Sequence, residues 1–284
     1  MHIVVCIKQV PDSAQIRVHP VTNTIMRQGV PTIINPYDLF ALEEALRLRD
    51  TFGGEVTVLT LGPPMAEDSL RKALAFGADR AVLLTDRFFA GSDTLATSFA
   101  LSMALAKIAS EFGEPPIVFT GKQTIDGDTA QVGPGIAKRL GLNLLTYVSR
   151  IIHADPSGNG VTVERRAEGG VQVLSTRMPV LITMLEGTNE MRRGSMTRAL
   201  NAAKAPIVTW SATDAGVEDL TKCGLRGSPT IVKKVFAPAA REDKAHMIET
   251  DDVAIADQAD AILAEIFNRQ PVLESDLLRM AAAS

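Results

Sequence analysis

The chain places short, uninterrupted runs of apolar and β-branched residues between longer segments whose apolar residues recur three and four apart. HIVVCIKQV (2–10), EVTVLTLG (55–62), RAVLLTD (80–86) and PIVFTG (116–121) are such runs. They are too short for core helices and apolar on both faces, which suits strands covered on both sides of a parallel sheet. NPYDLFALEEALRLRD (35–50) puts Asn35 at an N-cap and Pro36 at the first helical position, then Leu39, Phe40, Leu42 and Leu46 at helical spacing. AEDSLRKALAFGA (66–78) carries Leu70 and Leu74 on one face and stops at Gly77, and the segment 92–113 starts with Ser92 as its cap and stops at Gly113. Strands alternating with helices restrict the chain to the α/β class, as a doubly wound, mostly parallel sheet.

The pattern departs from this rhythm twice. IRVHPVTNTIMRQG (16–29) has two short alternating runs around VTNT, the pattern of a small inserted hairpin. Beyond about residue 144, four strand-like runs follow one another (145–154, 160–168, 169–178 and 180–187), with DPSGNG as the turn between the first two. They are expected to extend the sheet with antiparallel strands. A polar segment, 188–206, comes next, then the loop KCGLRGSPT (222–230), a final strand IVKKVFAP (231–238) and helices over 252–268 and 272–283. The expected organisation is a nucleotide-binding α/β domain over 1–205 and a C-terminal extension over 206–284.

Charge and cysteine usage exclude several classes. A net charge of −4 leaves no basic surplus to neutralise phosphates, so no nucleic-acid partner is expected. Cys6 and Cys223 are too few for a disulfide framework, and His2, His19, His153 and His246 are scattered, so no metal site is expected. MHIVVCIKQV is too short and too strand-like for a signal peptide, and no apolar run approaches ~18 residues, so a cytoplasmic location is expected.

Ligands of open α/β sheets bind beyond the carboxyl ends of the strands. The loops there are Lys8–Pro11, Gly62–Pro64, Ala90–Thr94 and GKQTIDGDTAQVGPGIAKRL (121–140). Several lead into helix N-termini, whose free N–H groups and partial positive charge suit a nucleotide diphosphate. No Gly-x-Gly-x-x-Gly, no Gly-Lys-Ser/Thr and no Gly-x-Ser-x-Gly is present. Asp126 and Asp128 read as an acid/base pair, as magnesium ligands or, more plainly, as acceptors for nucleotide hydroxyls and loop amides. Ser92 and Asp93 read equally as a helix cap.

VVCIKQVPD (4–12), NPYDLFALEEALRLRD, LGPPMAEDSLRKALAFGADRAVLLTD (61–86), GKQTIDGDTAQVGPGIAKRLG (121–141), VERRAEGG (163–170) and LNAAKAP (200–206) resemble, in order, the β-subunits of electron transfer flavoproteins, and most of all their nitrogen-fixation-associated, electron-bifurcating branch. The resemblance implies a heterodimer with an α-subunit that the C-terminal extension wraps. It also implies a pocket for FAD, with AMP in conventional members.

By position, the resemblance places Cys6, Asn35, Tyr37, Leu61 and Gly62 around the nucleotide, with Tyr37 toward the α-subunit's flavin. Lys122, Gln123, Asp126, Gly127, Asp128, Thr129, Ala130, Gln131, Val132, Gly133 and Pro134 form the principal loop. In it Gly127, Thr129, Ala130 and Gly133 permit close backbone approach, and Asp126, Asp128 and Gln131 supply polar contacts. Ser92, Asp93, Thr94 and Thr97 are expected at a second phosphate, and Leu225, Arg226 and Gly227 against a flavin; Arg226 reads equally as a solvated loop arginine.

Met196, rimmed by Arg192, Arg193 and Arg198, takes the place of the family's docking anchor, or starts a packed helix. Arg165 or Arg166 faces the partner's flavin. The implied partners are NADH, ferredoxin or flavodoxin, and a quinone oxidoreductase or acyl-CoA dehydrogenase-type protein. A conventional AMP-holding subunit and a stand-alone adenine-nucleotide-binding regulator are the alternatives. No catalytic side chain is expected, because the flavin carries the chemistry.

Overall fold

A computed structural model describes residues 1–12, 31–233, 247 and 254–282. The chain divides into two compact units, Met1–Ala237 and Pro238–Ser284. In the first, β1 (His2–Cys6) leads to a two-stranded antiparallel ladder of β2 (Gln9–Pro11) and β3 (Thr32–Ile34). Then come α1 (Pro36–Phe52), β4 (Glu55–Leu61), α2 (Glu67–Phe76), β5 (Arg80–Leu84), α3 (Thr94–Phe112), β6 (Ile117–Gly121) and α4 (Val132–Leu140). The meander β7 (Asn143–Asp155), β8 (Gly160–Ala167) and β9 (Gly170–Arg177) follows, then β10 (Val180–Met184), α5 (Met196–Lys204) and β11 (Val208–Trp210). The second unit holds α6 (Ile255–Arg269) and α7 (Pro271–Ala282). The hairpin expected over 16–29 lies outside the described residues, as does most of the strand expected over 231–238, of which Ile231–Lys233 form no strand.

The nine-stranded sheet has the order β11-β5-β4-β1-β6-β10-β7-β8-β9. Every pair from β11 to β7 is parallel, and only β7–β8 and β8–β9 are antiparallel. The antiparallel extension is therefore shorter than expected. β10 returns between β6 and β7, parallel to both, and the first half of β7 joins the parallel sheet before the strand runs on into the meander. The sheet also gains β11, which pairs with β5. The expected boundary at 205/206 thus falls before the last strand of the sheet, and the first compact unit continues to Ala237.

Strand alternation distributes β1 between two cores. Ile3 and Val5 point to one, with Leu42 and Leu46 of α1 and Leu70 of α2. Val4 and Cys6 point to the other, with Leu101, Leu105 and Ile108 of α3, Ile136 of α4 and Trp210. Both sheet faces are covered, which explains the unbroken apolar runs. α3 is, among the described residues, the helix long and apolar enough by length and composition to cross a membrane. That differs from the sequence expectation. Its Ala100, Leu101, Ala104, Leu105 and Ile108 are buried in the second core, as befits a core helix.

Candidate functional site

Chain order leaves β1 for β4 and β5 on one side, then crosses to β6 on the other. β1 and β6 therefore flank a topological switch point, where open α/β sheets leave a crevice. Asp38, in the first turn of α1, closes the floor. Its Oδ2 accepts the Lys8 N–H (2.7 Å) and its Oδ1 the Gly121 N–H (3.1 Å), tying the two strand ends together. A Cβ on Gly121 would stand 2.4 Å from Asp38 Oδ1 and 2.6 Å from Tyr37 Cβ, so glycine is needed there for α1 to come this close. Asp38 is wholly buried. Burial pushes its carboxyl up to about 7, against the opposing pull of the donors around it. Burial, and then the Asp38 charge, push the Cys6 thiol up to about 12, so Cys6 is an inert core residue below the crevice.

Asn35 fastens the loop that leaves β6. It occupies the N-cap position of α1, yet its side chain makes no cap bond. Its Nδ2 instead donates to the Gln123 carbonyl (2.8 Å) and its Oδ1 accepts the Ile125 N–H (3.2 Å). Lys8 Nζ donates to both oxygens of Asp126 at 2.8 Å. Burial works against the Asp126 anion, but Lys8 holds its carboxyl below the usual range. Gln123 donates to Asp128. Thus Asn35, Asp126 and Asp128 shape the loop rather than stand free for a ligand.

What the loop presents is backbone. Asp128 (φ 57°) and Ala130 (φ 56°) both adopt the left-handed conformation that disfavours residues with a Cβ. Beyond them the N–H groups of Thr129, Ala130, Gln131, Val132 and Gly133 meet no acceptor among the described residues, and no side chain caps α4. A run of free amides at a helix N-terminus fits an anionic group such as a nucleotide phosphate. Pro134 has no N–H to offer. Two of the glycines expected to permit close approach sit against neighbouring side chains. The missing Cβ of Gly133 is replaced by Thr120 Oγ1 (2.8 Å) and Thr183 Cγ2 (3.1 Å), which lets α4 pack on the sheet, and a Cβ on Gly127 would lie 3.3 Å from Thr124 Oγ1.

Thr94 Oγ1 donates to Gln131 Oε1 (2.9 Å), setting the α3 N-terminus beside the loop. The α3 cap is Asp93 rather than Ser92. Asp93 Oδ1 accepts the Leu95 and Ala96 N–H groups, while its Oδ2 accepts the N–H and hydroxyl of Thr230. Ser92 Oγ donates to the Phe89 carbonyl and accepts the Gly224 N–H. Both side chains thus hold the 223–230 loop in place. Gly224 presses on the Phe88 and Ala90 carbonyls, Gly227 folds back on Lys222, and Leu225 covers Gly91. Arg226 is exposed, and Thr97 donates its N–H to the Asp93 carbonyl within α3. Leu61 ends β4, and Gly62 donates to the Leu84 carbonyl beside Ala66.

On the β10 side, Lys122 Nζ lies 5.0 Å from the Tyr37 ring centre, 6.0 Å from that of Tyr147 and 3.6 Å from Glu186. Tyr147 reaches it from a left-handed backbone (φ 57°), where the β7–β10 register shifts. Arg166 joins Glu186 (3.2 Å), whereas Arg165 is held by Thr146 and Gln172. Sequence reasoning left Asp38, Tyr147 and Glu186 without roles. Asp38 stood among the quoted residues, but only the structure shows which amides it meets.

Met196 opens α5 at 77% exposure, and Leu200 follows one turn later at 59%. Arg193 is exposed, and Arg198 lies over Gly77 at the C-terminal end of α2. Arg192 is not part of the rim. Its guanidinium pairs with Glu43 (2.9 and 3.0 Å) and Asp50 (2.6 Å), locking the preceding segment to α1. No cluster of metal-ligating residues occurs among the described residues.

Comparison with known proteins gives a consistent result. Residues 22–215 match the family model described as the electron transfer flavoprotein domain. The chain is 75% identical over 281 residues to Protein FixA of Azorhizobium caulinodans, covering 99% of each chain. It is 62% identical to Protein FixA of Azotobacter vinelandii, over 99% of this chain and all of that one. It is 47% identical to the electron transfer flavoprotein subunit beta of Clostridium acetobutylicum, over 82% of this chain and 87% of that one.

Proposed function

The chain belongs to the electron transfer flavoprotein family, and from that premise we propose that it is a β-subunit that pairs with an α-subunit, holds FAD in the switch-point crevice and takes electrons from NADH. One electron goes toward a quinone-linked acceptor and the other to ferredoxin or flavodoxin. FAD, when bound, supplies the redox chemistry by accepting a hydride and releasing electrons singly. The protein's part is to bind, orient and present it. The observation that carries the reading is the run of unpaired amides from Thr129 to Gly133 at the uncapped start of α4.

Thr129–Gly133 receive the phosphate, with Lys8 and Asn35 keeping their loop in register. Lys122, steadied between Tyr37 and Tyr147, places a fixed positive charge at the crevice mouth, and Arg226 brings a second charge on the 223–230 loop. Met196 and Leu200 form an apolar anchor for a redox partner, with Arg193 and Arg198 as its charged rim. The site lies in a cytoplasmic heterodimer whose α-subunit is wrapped by the segment beyond residue 206.

A conventional subunit holding AMP is the second reading. It is favoured by Ser92 and Asp93, whose side chains are engaged with the 223–230 loop rather than directed to a second phosphate. Acid release of nucleotides from the purified heterodimer decides between the two. Two FAD per heterodimer is expected, and one FAD with one AMP would replace the first reading by the second.

A further inference from the structure

We infer that Asp38 is the positioning residue of the nucleotide crevice. As the anion it accepts both the Lys8 and the Gly121 amides in charge-assisted bonds and so holds the ends of β1 and β6, and the loop that follows β6, at binding spacing. The inference deepens the proposed function and rests on its assignment of the crevice to a nucleotide.

Three features of the geometry point the same way. The two amides belong to the two strands that border the switch point, so their separation sets the width of the crevice floor. Gly121 has given up its Cβ to let the carboxylate and the first turn of α1 close on it. The neighbour Asn35, on the same turn, holds Gln123 and Ile125, so a shift of α1 at Asp38 carries the loop with it.

A carboxylate offers a charged acceptor oxygen to each donor, whereas protonation turns one oxygen into a hydroxyl that accepts only weakly. Protonation therefore weakens one of the two charge-assisted bonds. Burial places this change near neutral pH. The titratable groups around Asp38 are Cys6 at the end of β1, Lys8 just beyond it, Tyr37 on α1, and Lys122 and Asp126 in the loop. The Lys8 ammonium, engaged by Asp126, draws the Asp38 carboxyl down less than burial pushes it up, and Cys6 stays protonated. Asp38 acts through the loop and touches no substrate.

The test uses the full-length chain co-expressed with its α-subunit and stripped of nucleotide, titrated with AMP and with FAD at about pH 6 and about pH 8. Affinity should be about tenfold weaker at the lower pH, the loss of one charge-assisted hydrogen bond. Asp38→Asn, with a single acceptor oxygen, should show the weaker value at both. Wild-type affinity that is flat or rises toward low pH, or an Asp38→Asn protein that follows the wild-type profile, overturns the inference.

Hydrogen exchange at the Gly121 amide in the nucleotide-free protein, corrected for intrinsic rate, needs no ligand. At about pH 8 protection should be about tenfold lower in Asp38→Asn than in wild type, and equal protection overturns the inference. A protein that binds neither nucleotide refutes the proposed function, while the Gly121 amide still decides whether Asp38 holds the strand ends.

Discussion

Replacing Gly121 with alanine tests the close approach on which the crevice floor depends. The new Cβ would stand 2.4 Å from Asp38 Oδ1, 2.6 Å from Tyr37 Cβ and 2.7 Å from the Tyr37 carbonyl carbon. All three atoms lie on the first turn of α1, and one is backbone, so no flexible side-chain tip can give way. The helix start must retreat, at an overpacking cost of about 1–3 kcal/mol. The retreat also stretches the charge-assisted bond from the Gly121 N–H to Asp38, worth about 1.5–3 kcal/mol. Together these give about 3–5 kcal/mol, or roughly 10 °C in Tm for a unit of this size. Gly160→Ala is the control, since a Cβ there meets nothing within 4 Å. Scanning calorimetry of both variants should show Gly121→Ala melting about 10 °C lower and Gly160→Ala close to wild type. Equal melting temperatures would refute the packing argument.

Three other outcomes are expected. Arg192→Ala leaves the buried Glu43 with only the residue-192 amide and the longer contact to Arg47 (3.8 Å), and should cost about 2 kcal/mol in denaturant unfolding, whereas Arg193→Ala should lie within about 0.5 kcal/mol of wild type. Met196→Ala should leave the unfolding curve unchanged but weaken binding to a redox partner by about tenfold or more in a titration; equal affinity would remove Met196 from the docking surface. Asp38, with its folded value raised to about 7, contributes stability that is fully present below the unfolded value near 4 and is lost as pH rises through 7. Relative to Asp38→Asn, wild type should therefore lose about 3–4 kcal/mol between about pH 4 and pH 8, at 1.36 kcal/mol per unit, and parallel curves would contradict the assignment.

Much of the first half of the fold was legible because strands covered on both faces leave a distinctive mark, as in IVVC between two cores. The ends of α2 and α3 were legible from Gly77 and Gly113. The placement of β10 was not, because a five-residue apolar run looks the same whether it joins the sheet parallel or antiparallel. β11 was missed although Val208 and Thr209 gave a β-branched signal, for three residues are too few to show a period.

At the site, the glycine-rich loop was conspicuous, but its chemistry divides in a way composition does not reveal. The acidic and amide side chains fasten the loop, and its backbone N–H groups from Thr129 to Gly133 meet no acceptor among the described residues. Ser92 and Asp93 were legible as polar residues at a helix start, but not as partners of residues 224–230, more than a hundred positions away. Arg192 and Arg193 are adjacent in sequence, yet one is fixed to α1 and the other is exposed. The positions of Glu43 and Asp50 on α1 separate them.

The most direct test is amide hydrogen exchange of the heterodimer with and without its nucleotide. Ligand should slow exchange at Thr129, Ala130, Gln131, Val132 and Gly133 more than anywhere else in this chain. Protection that leaves those amides unchanged and appears on another edge of the sheet would contradict a cradle at the β1–β6 switch point.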